Sequence, residues 1–154
     1  MTQRVQNHFK LAPEATKAMM ALEASFKSSG LEPKLQELVR MRASQVNGCA
    51  FCIAQHATDA LRLGEDEMRL HLLNGWREST LYSERERAAL AWTEALTRVS
   101  ETHAPDEAYA QVKAQFSDAE QVALTYLIGS INVWNRLQIG FRVPPAGEAA
   151  AKAA

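Results

Sequence analysis

The sequence contains few of the residues that interrupt helices: seven glycines and five prolines among 154 residues. This scarcity disfavours an all-β fold, which needs many tight turns, and favours long helices instead. The net charge is also small, because 17 Lys and Arg residues are balanced by 18 Asp and Glu residues. A chain this close to neutrality has no general attraction to nucleic acid or to an anionic membrane surface, so we expect neither as a partner.

The sequence also lacks a visible export signal and a convincing membrane span. Residues 1–11 are polar and of mixed charge, and no apolar stretch follows a basic one. The most apolar segment, residues 122–141, contains four side chains that lipid accepts only at high cost, Asn132, Asn135, Arg136 and Gln138. We therefore predict a cytoplasmic protein in which this segment is a buried helix of a bundle or of a subunit interface.

Helix signals recur along the chain, and no strand pattern stands between them. Proline begins segments near residues 13 and 33, and serine followed three residues later by glutamate forms capping boxes at Ser83 and Ser117. We predict one all-α domain over residues 1–154, a compact bundle of about seven helices with its core at about 13–141. The expected helices lie near 13–27, 33–47, 49–63, 65–73, 83–99, 105–116 and 117–141. Residues 144–154 are expected to form a short tail, frayed in its alanine-rich part from residue 146.

The two cysteines, Cys49 and Cys52, form a Cys-x-x-Cys motif. In a reducing compartment, such a pair indicates redox, nucleophilic or metal chemistry more often than a structural disulfide. The preceding Asn47-Gly48 predicts a helix break, which places the motif in the first turn of a new helix. Backbone N–H groups and the helix dipole favour a thiolate there. On that helix both sulfurs face one side, and His56 continues this side four residues after Cys52.

Two further residues complete a possible nucleophilic site. His56 can accept a thiol proton, and Glu37 on the preceding helix can orient the imidazole ring. Taken singly, His56 is more typical of a helix histidine without a chemical role, and Glu37 is more typical of a solvated helix charge. A thioredoxin would need a βαβ context, and a zinc site would need two ligands besides the cysteines. Redox or nucleophilic chemistry is therefore favoured over a metal site or inert buried thiols, and we expect no bound metal or cofactor.

The segment from Glu37 to His56 strongly resembles the core of the AhpD-like alkylhydroperoxidases in the carboxymuconolactone decarboxylase superfamily. The pattern of that group is Glu, eleven residues, Cys-x-x-Cys, three residues and His, and every element stands here at that spacing. The likeness extends through residues 83–90 and 131–137, so it covers most of the chain between about Pro13 and Phe141. The decarboxylases of the superfamily typically lack the cysteine pair, which disfavours lactone chemistry here.

The resemblance implies an all-α homo-oligomer with thiol peroxidase activity, either a trimer or a hexamer, with the hexamer favoured. It implies that Cys52 attacks the peroxide oxygen to form a sulfenic acid, which Cys49 resolves as a disulfide. His56 and Glu37 would then relay the proton of Cys52, and an unidentified thiol or dithiol would restore the reduced state. Some members have a histidine between the cysteines where this chain has Phe51, so we expect a shorter or slower relay.

Two other functions stay open at this point. The first is a dithiol–disulfide oxidoreductase with little peroxide turnover. The second is a non-enzymatic oligomeric protein for which the cysteines serve in stress or redox sensing or in zinc binding. The polar residues Asn132, Asn135 and Arg136 are interpreted as groups that fix packing or a subunit contact, and a place in the active-site pocket is the alternative.

Overall fold

The computed structural model describes residues 2–145, and over that range it contains helices and no strand. The α-helices are α1 His8–Leu11, α2 Pro13–Ser25, α3 Pro33–Asn47, α4 Ala50–Arg62, α5 Glu67–Leu72, α6 Glu84–Thr97, α7 Val99–Thr102, α8 Asp106–Gln115 and α9 Asp118–Phe141, with 3₁₀ turns at Phe26–Ser28 and Leu73–Gly75. The all-α prediction is confirmed. The predicted count of about seven misses α1 and α7, because four residues are too few to show a helical period. The tail at 146–154 lies outside the described residues.

The helices begin where local sequence signals predict. Ser83 and Ser117 each accept a hydrogen bond from the N–H of the glutamate three residues later, and the glutamate side chain bonds back to the serine N–H. Both capping boxes are thus complete, and each satisfies donors that a helix start leaves unpaired. Pro13 and Pro33 stand at the first positions of α2 and α3, where proline's fixed φ suits the helix.

The tight turn between α3 and α4 positions the cysteine motif. Gly48 has φ 70° and ψ 32°, a left-handed conformation that strains residues with a Cβ atom. The N–H of Gly48 bonds back to the carbonyl of Gln45 at 3.2 Å, and that of Cys49 to Ser44 at 2.9 Å. These bonds end α3 and direct the chain at once into α4, so the two helices form a close hairpin.

Helix α3 is central, because it packs against α4, α6 and α9. One apolar cluster joins α3 to α6, α8 and α9, and a second joins it to α4, α5 and α6. A third, smaller cluster contains Ala43 of α3, Cys49 and Cys52 at the start of α4, and Ile131 of α9. The cysteine motif therefore lies inside the protein, where three helices meet.

Helix α9 is buried along one side and exposed along the other. Its inner side contributes Leu124, Leu127, Ile128 and Ile131 to the core. Its outer side leaves large apolar side chains in solvent, Val122, Tyr126, Val133 and Ile139. Within residues 2–145, no helix combines the length and the apolar character that crossing a bilayer requires.

A buried ionic cluster around Glu94 joins α6 to α3 and to the segment after α5. Glu94 accepts hydrogen bonds from Arg42 Nε at 2.7 Å, from Trp76 Nε1 at 2.8 Å and from Arg77. Burial alone would raise the pKa of Glu94, but the hydrogen bonds and the charge of Arg42 outweigh burial and hold the pKa below its ordinary value of 4.5. The cluster is therefore ionised and contributes to stability at neutral pH.

Replacing Glu94 with Gln should lower the free energy of unfolding at pH 7 by about 3 kcal/mol, because Arg42 stays buried without its charge partner. Since the folded-state pKa is depressed, the stabilisation by Glu94 is fully present above about pH 4.5 and is lost as the pH falls through the folded-state pKa. Urea denaturation should therefore show a difference between wild type and Glu94→Gln that narrows in acid. The exposed Glu67→Gln is the control, and an undiminished difference in acid would contradict this account.

Candidate active site

The turn after α3 brings Glu37 of α3 and His56 of α4 into contact. Nδ1 of His56 lies 2.8 Å from Oε2 of Glu37, and the two side chains are only 16% and 11% exposed. A carboxylate at Nδ1 fixes the ring orientation and leaves Nε2 free for chemistry. The predicted neighbourhood of these two residues is therefore present, while their part in proton transfer stays a prediction.

The carboxylate of Glu37 also belongs to a longer ionic chain that the sequence did not predict. Its Oε1 accepts a hydrogen bond from Arg40 at 2.6 Å, and Arg40 donates to Glu23 of α2 at 2.9 Å. Glu23 also accepts bonds from Ser130 and, at 2.9 Å, from Nε1 of Trp134, both on α9. The spacing of Glu37 and Arg40 could have indicated their ion pair, but no local signal links either residue to Glu23.

Both cysteines are buried free thiols at the start of α4. Cys49 occupies the N-cap position of α4 without a capping side-chain hydrogen bond, and Cys52 lies in the first turn. The predicted placement of the motif at a helix N-terminus is therefore confirmed. The exposed fractions are 1% for Cys49 and 3% for Cys52, so a large substrate does not reach either sulfur without movement of the surrounding chain.

The two thiols interact with each other, and this interaction separates their pKa values. The pKa of Cys49 is lowered from 9.0 to about 7, chiefly by the hydrogen bond from the Cys52 side chain, although burial opposes the effect. Nearby N–H groups of Phe51 and Cys52 act in the same direction. The pKa of Cys52 is raised, because its proton is held by Cys49 and because burial and a neighbouring negative charge disfavour a second thiolate. The pair thus loses one proton near neutral pH and shares the other.

Asn135 of α9 touches the thiol pair, which makes it more than a packing residue. It is fully buried, donates to Ser44 Oγ at 3.0 Å and accepts from Asn47 Nδ2 at 2.8 Å. Its amide also acts to lower the pKa of each cysteine, as a smaller influence than the interaction between the two thiols and than burial. The packing interpretation is therefore correct for Asn135 but incomplete.

The other two polar residues of that set, Asn132 and Arg136, fit the packing interpretation. Arg136 donates to the carbonyl oxygen of Asn132 at 2.8 Å and to its side-chain oxygen at 3.0 Å. Asn132 also donates to Thr97 of α6 at 3.1 Å and accepts from Asn47 at 3.0 Å. These contacts tie α9 to α6 and to the end of α3.

A cavity of about 400 Å³ lies beside Cys52, and we call it the Cys52 cavity. Its lining includes Cys52, His56 and Arg40, but not Cys49. Apolar side chains form much of its wall, namely Met20, Phe51, Ile131 and Trp134. A small molecule in this cavity would meet the sulfur of Cys52 and the imidazole of His56 together.

One group of possible metal ligands occurs within residues 2–145: atoms of Glu37, His56 and Asp59 lie within 4.8 Å of one another. Asp59 is engaged by Gln55 at 2.7 Å and Arg62 at 3.0 Å, and Glu37 by Arg40. Neither cysteine belongs to the group. In the part of the chain that the structure describes, no third ligand lies close enough to the two cysteines to form a zinc site with them.

The family profile for carboxymuconolactone decarboxylases matches residues 13–95, which include Glu37, both cysteines and His56. The chain belongs to this family. YdfG, an uncharacterised protein of Bacillus subtilis, is 41% identical over 139 residues, covering 90% of this chain and 94% of that protein. The resemblance found in the motif is therefore confirmed at the level of the family.

Solved structures confirm the AhpD-like fold of this family member. A crystal structure of a protein of unknown function from Agrobacterium tumefaciens, described as a candidate antioxidant defence protein AhpD, has a TM-score of 0.89 and 46% identity. The match covers 94% of this chain and 98% of that one. The debrominase Bmp8 has a TM-score of 0.82 and covers 93% and 77% of the two chains, but at 20% identity it shows the fold alone.

Proposed function

We propose that this family member is a thiol-dependent peroxidase that reduces hydroperoxides with its Cys-x-x-Cys pair. The observation that supports this most is the composition of the Cys52 cavity, where Cys52 and His56 face the same space and Glu37 holds the imidazole. A buried thiol nucleophile, an oriented proton carrier and a second thiol in contact with the first are the groups that such a reaction requires.

The proposed reaction reduces one hydroperoxide for each disulfide formed. The thiol pair first gives up one proton to Nε2 of His56, and the Cys52 thiolate attacks the terminal oxygen of ROOH. The O–O bond breaks, and the alkoxide leaves as ROH with the proton that His56 returns. Cys52 is then a sulfenic acid, and Cys49 attacks its sulfur to form the S–S bond, while the hydroxide that leaves takes the Cys49 proton and departs as water. A thiol or dithiol reductant returns two electrons by disulfide exchange and is itself oxidised to a disulfide.

We assign the attack to Cys52, although Cys49 has the lower pKa. Cys49 is absent from the cavity lining, whereas Cys52 is part of it and lies one helical turn from His56. Transfer of the Cys52 proton to Cys49 along their hydrogen bond produces a thiolate at Cys52 without a second ionisation. The negative charge that the pair gains near a pKa of about 7 can therefore reside on Cys52, the sulfur that contacts the substrate.

A dithiol–disulfide oxidoreductase is the second candidate, because a first pKa of about 7 in a Cys-x-x-Cys motif also suits disulfide exchange. Either activity is expected in a reducing compartment such as the cytoplasm, where thiol reductants are available.

Anaerobic thiol counting separates the two candidates. Reduced protein is mixed with cumene hydroperoxide, and free thiols and alcohol product are measured. The peroxidase predicts the loss of two thiols per chain and one alcohol for each peroxide consumed. The control is the double variant that replaces both Cys49 and Cys52 with Ser. Rapid oxidation by a small disulfide without oxidation by hydroperoxides would favour the second candidate and contradict the peroxidase.

We also propose that the chain self-associates through the outer side of α9, and the resemblance favours a hexamer over a trimer. Val122, Tyr126 and Val133 follow one another at helical spacing, and each is at least 42% exposed. An exposed apolar stripe of this kind is typical of a protein interface.

Tyr126→Glu should weaken the assembly at least about tenfold, because association would bury an unpaired charge. Sedimentation velocity over a concentration series measures the change. Leu61→Glu, on an exposed part of α4 outside the stripe, is the matched control. A wild-type chain that sediments as a 17.1 kDa monomer at micromolar concentration would refute self-association.

A further inference from the structure

Gln138 is a buried residue of α9 whose side-chain oxygen, Oε1, has no hydrogen-bond partner within residues 2–145. Only 4% of the residue is exposed, and it lines the Cys52 cavity. A buried acceptor without a partner is costly, and native proteins seldom keep one without a reason. An unpaired acceptor on a residue that lines a cavity indicates a place for the donor group of a ligand, which a small rotation of the side chain would admit.

Apart from Nε2 of His56, the neighbouring polar groups of the Cys52 cavity have partners within the protein. His56 is paired with Glu37, Arg40 bridges Glu37 and Glu23, and Gln55 donates to Asp59. Gln138 is also fixed in place, because its backbone carbonyl accepts the N–H of Val143 at 2.9 Å just beyond the end of α9. This bond fixes the backbone of Gln138, and the side-chain oxygen is left without a donor within residues 2–145.

We propose that Gln138 positions the hydroperoxide by accepting its O–H, an inference that rests on the proposed peroxidase function. A hydroperoxide ROOH has one hydrogen-bond donor, the hydrogen on its terminal oxygen. Held by Gln138, that oxygen is presented to Cys52, the inner oxygen is left for the proton from His56, and the group R lies against the apolar wall. The hydrogen stays on the oxygen that passes to sulfur, so Gln138 neither gives nor takes a proton.

The test replaces Gln138 with Met, which has a similar size and no strong acceptor. Stopped-flow oxidation of the reduced protein is followed with two oxidants: cumene hydroperoxide, which carries the O–H, and diamide, which lacks it. Gln138→Met should react about tenfold more slowly with the hydroperoxide, which corresponds to about 1.4 kcal/mol, and at the wild-type rate with diamide. Gln111→Met, on the exposed surface of α8, is the control for the same substitution elsewhere.

Thermal unfolding of the same variant separates positioning from packing. Removing an unpaired buried amide should leave the Tm unchanged or raise it, because no hydrogen bond is lost. An unchanged hydroperoxide rate in Gln138→Met, equal slowing with both oxidants, or a marked fall in Tm would each overturn the role of Gln138 while the peroxidase stands. A wild-type protein that does not react with hydroperoxides would overturn the peroxidase and this inference with it.

Discussion

Cys52→Ser is expected to abolish the reaction with hydroperoxides, whereas Cys49→Ser should react once and then stop as a sulfenic acid. The reason is access, because the Cys52 cavity reaches the sulfur of Cys52 and leaves Cys49 behind it. A serine hydroxyl at either position keeps the size of the side chain but cannot act as a thiolate nucleophile or form a disulfide. Trapping with a dimedone-type reagent, followed by intact mass measurement, should give one adduct in Cys49→Ser and none in Cys52→Ser.

The pKa of the surviving thiol provides an independent check on the coupling of the pair. Cys52→Ala removes the largest cause that lowers the pKa of Cys49, while burial remains, so this pKa should rise above about 7. Ultraviolet absorbance of the thiolate against pH measures it. If Cys49→Ser instead lost the single-turnover reaction and Cys52→Ser kept it, the roles would be reversed. The helix N-terminus, and not His56, would then determine the nucleophile.

Most of the fold could be predicted because short local sequence signals determine where many of its helices begin and end. The capping boxes at Ser83 and Ser117 and the prolines at 13 and 33 act within one helical turn, and the structure places helix starts at all four. Gly48 acts in the same local way, and the hairpin it permits explains why Glu37 and His56 meet across 19 residues of chain. The four-residue helices α1 and α7 carry no such signals.

The rest of the candidate site comes from distant helices, and local patterns leave open whether a residue such as Asn135 fixes packing or lines the site. Glu23 belongs to α2, while Asn135 and Gln138 belong to α9, more than 80 residues beyond the cysteines. A polar residue in an apolar helix signals only that its side chain needs a partner or a ligand. Which of these applies depends on the packing of the helices. Asn135 donates to Ser44 beside the two thiols, whereas Gln138 lines the Cys52 cavity.

His56→Gln is expected to slow the reaction with alkyl hydroperoxides by about 10²–10⁴-fold, the usual contribution of a positioned acid or base. Glu37→Gln should slow it less, because the amide oxygen still accepts a hydrogen bond from the ring and only the charge is lost. Arg40 keeps its ion pair with Glu23 in that variant, which limits the structural damage. The histidine is partly buried but lies at the edge of a cavity, so neither substitution should unfold the protein.

A comparison of two oxidants with different leaving groups tests whether His56 acts by transferring a proton. An alkoxide is a poor leaving group and needs that proton, whereas the carboxylate released from a peracid leaves without it. His56→Gln should therefore slow stopped-flow oxidation by cumene hydroperoxide far more than oxidation by peracetic acid. His71→Gln and Glu67→Gln alter an exposed His–Glu pair on α5 and are the matched controls. Equal slowing with both oxidants would mean that His56 supports the shape of the cavity and that the proton reaches the alkoxide by another route.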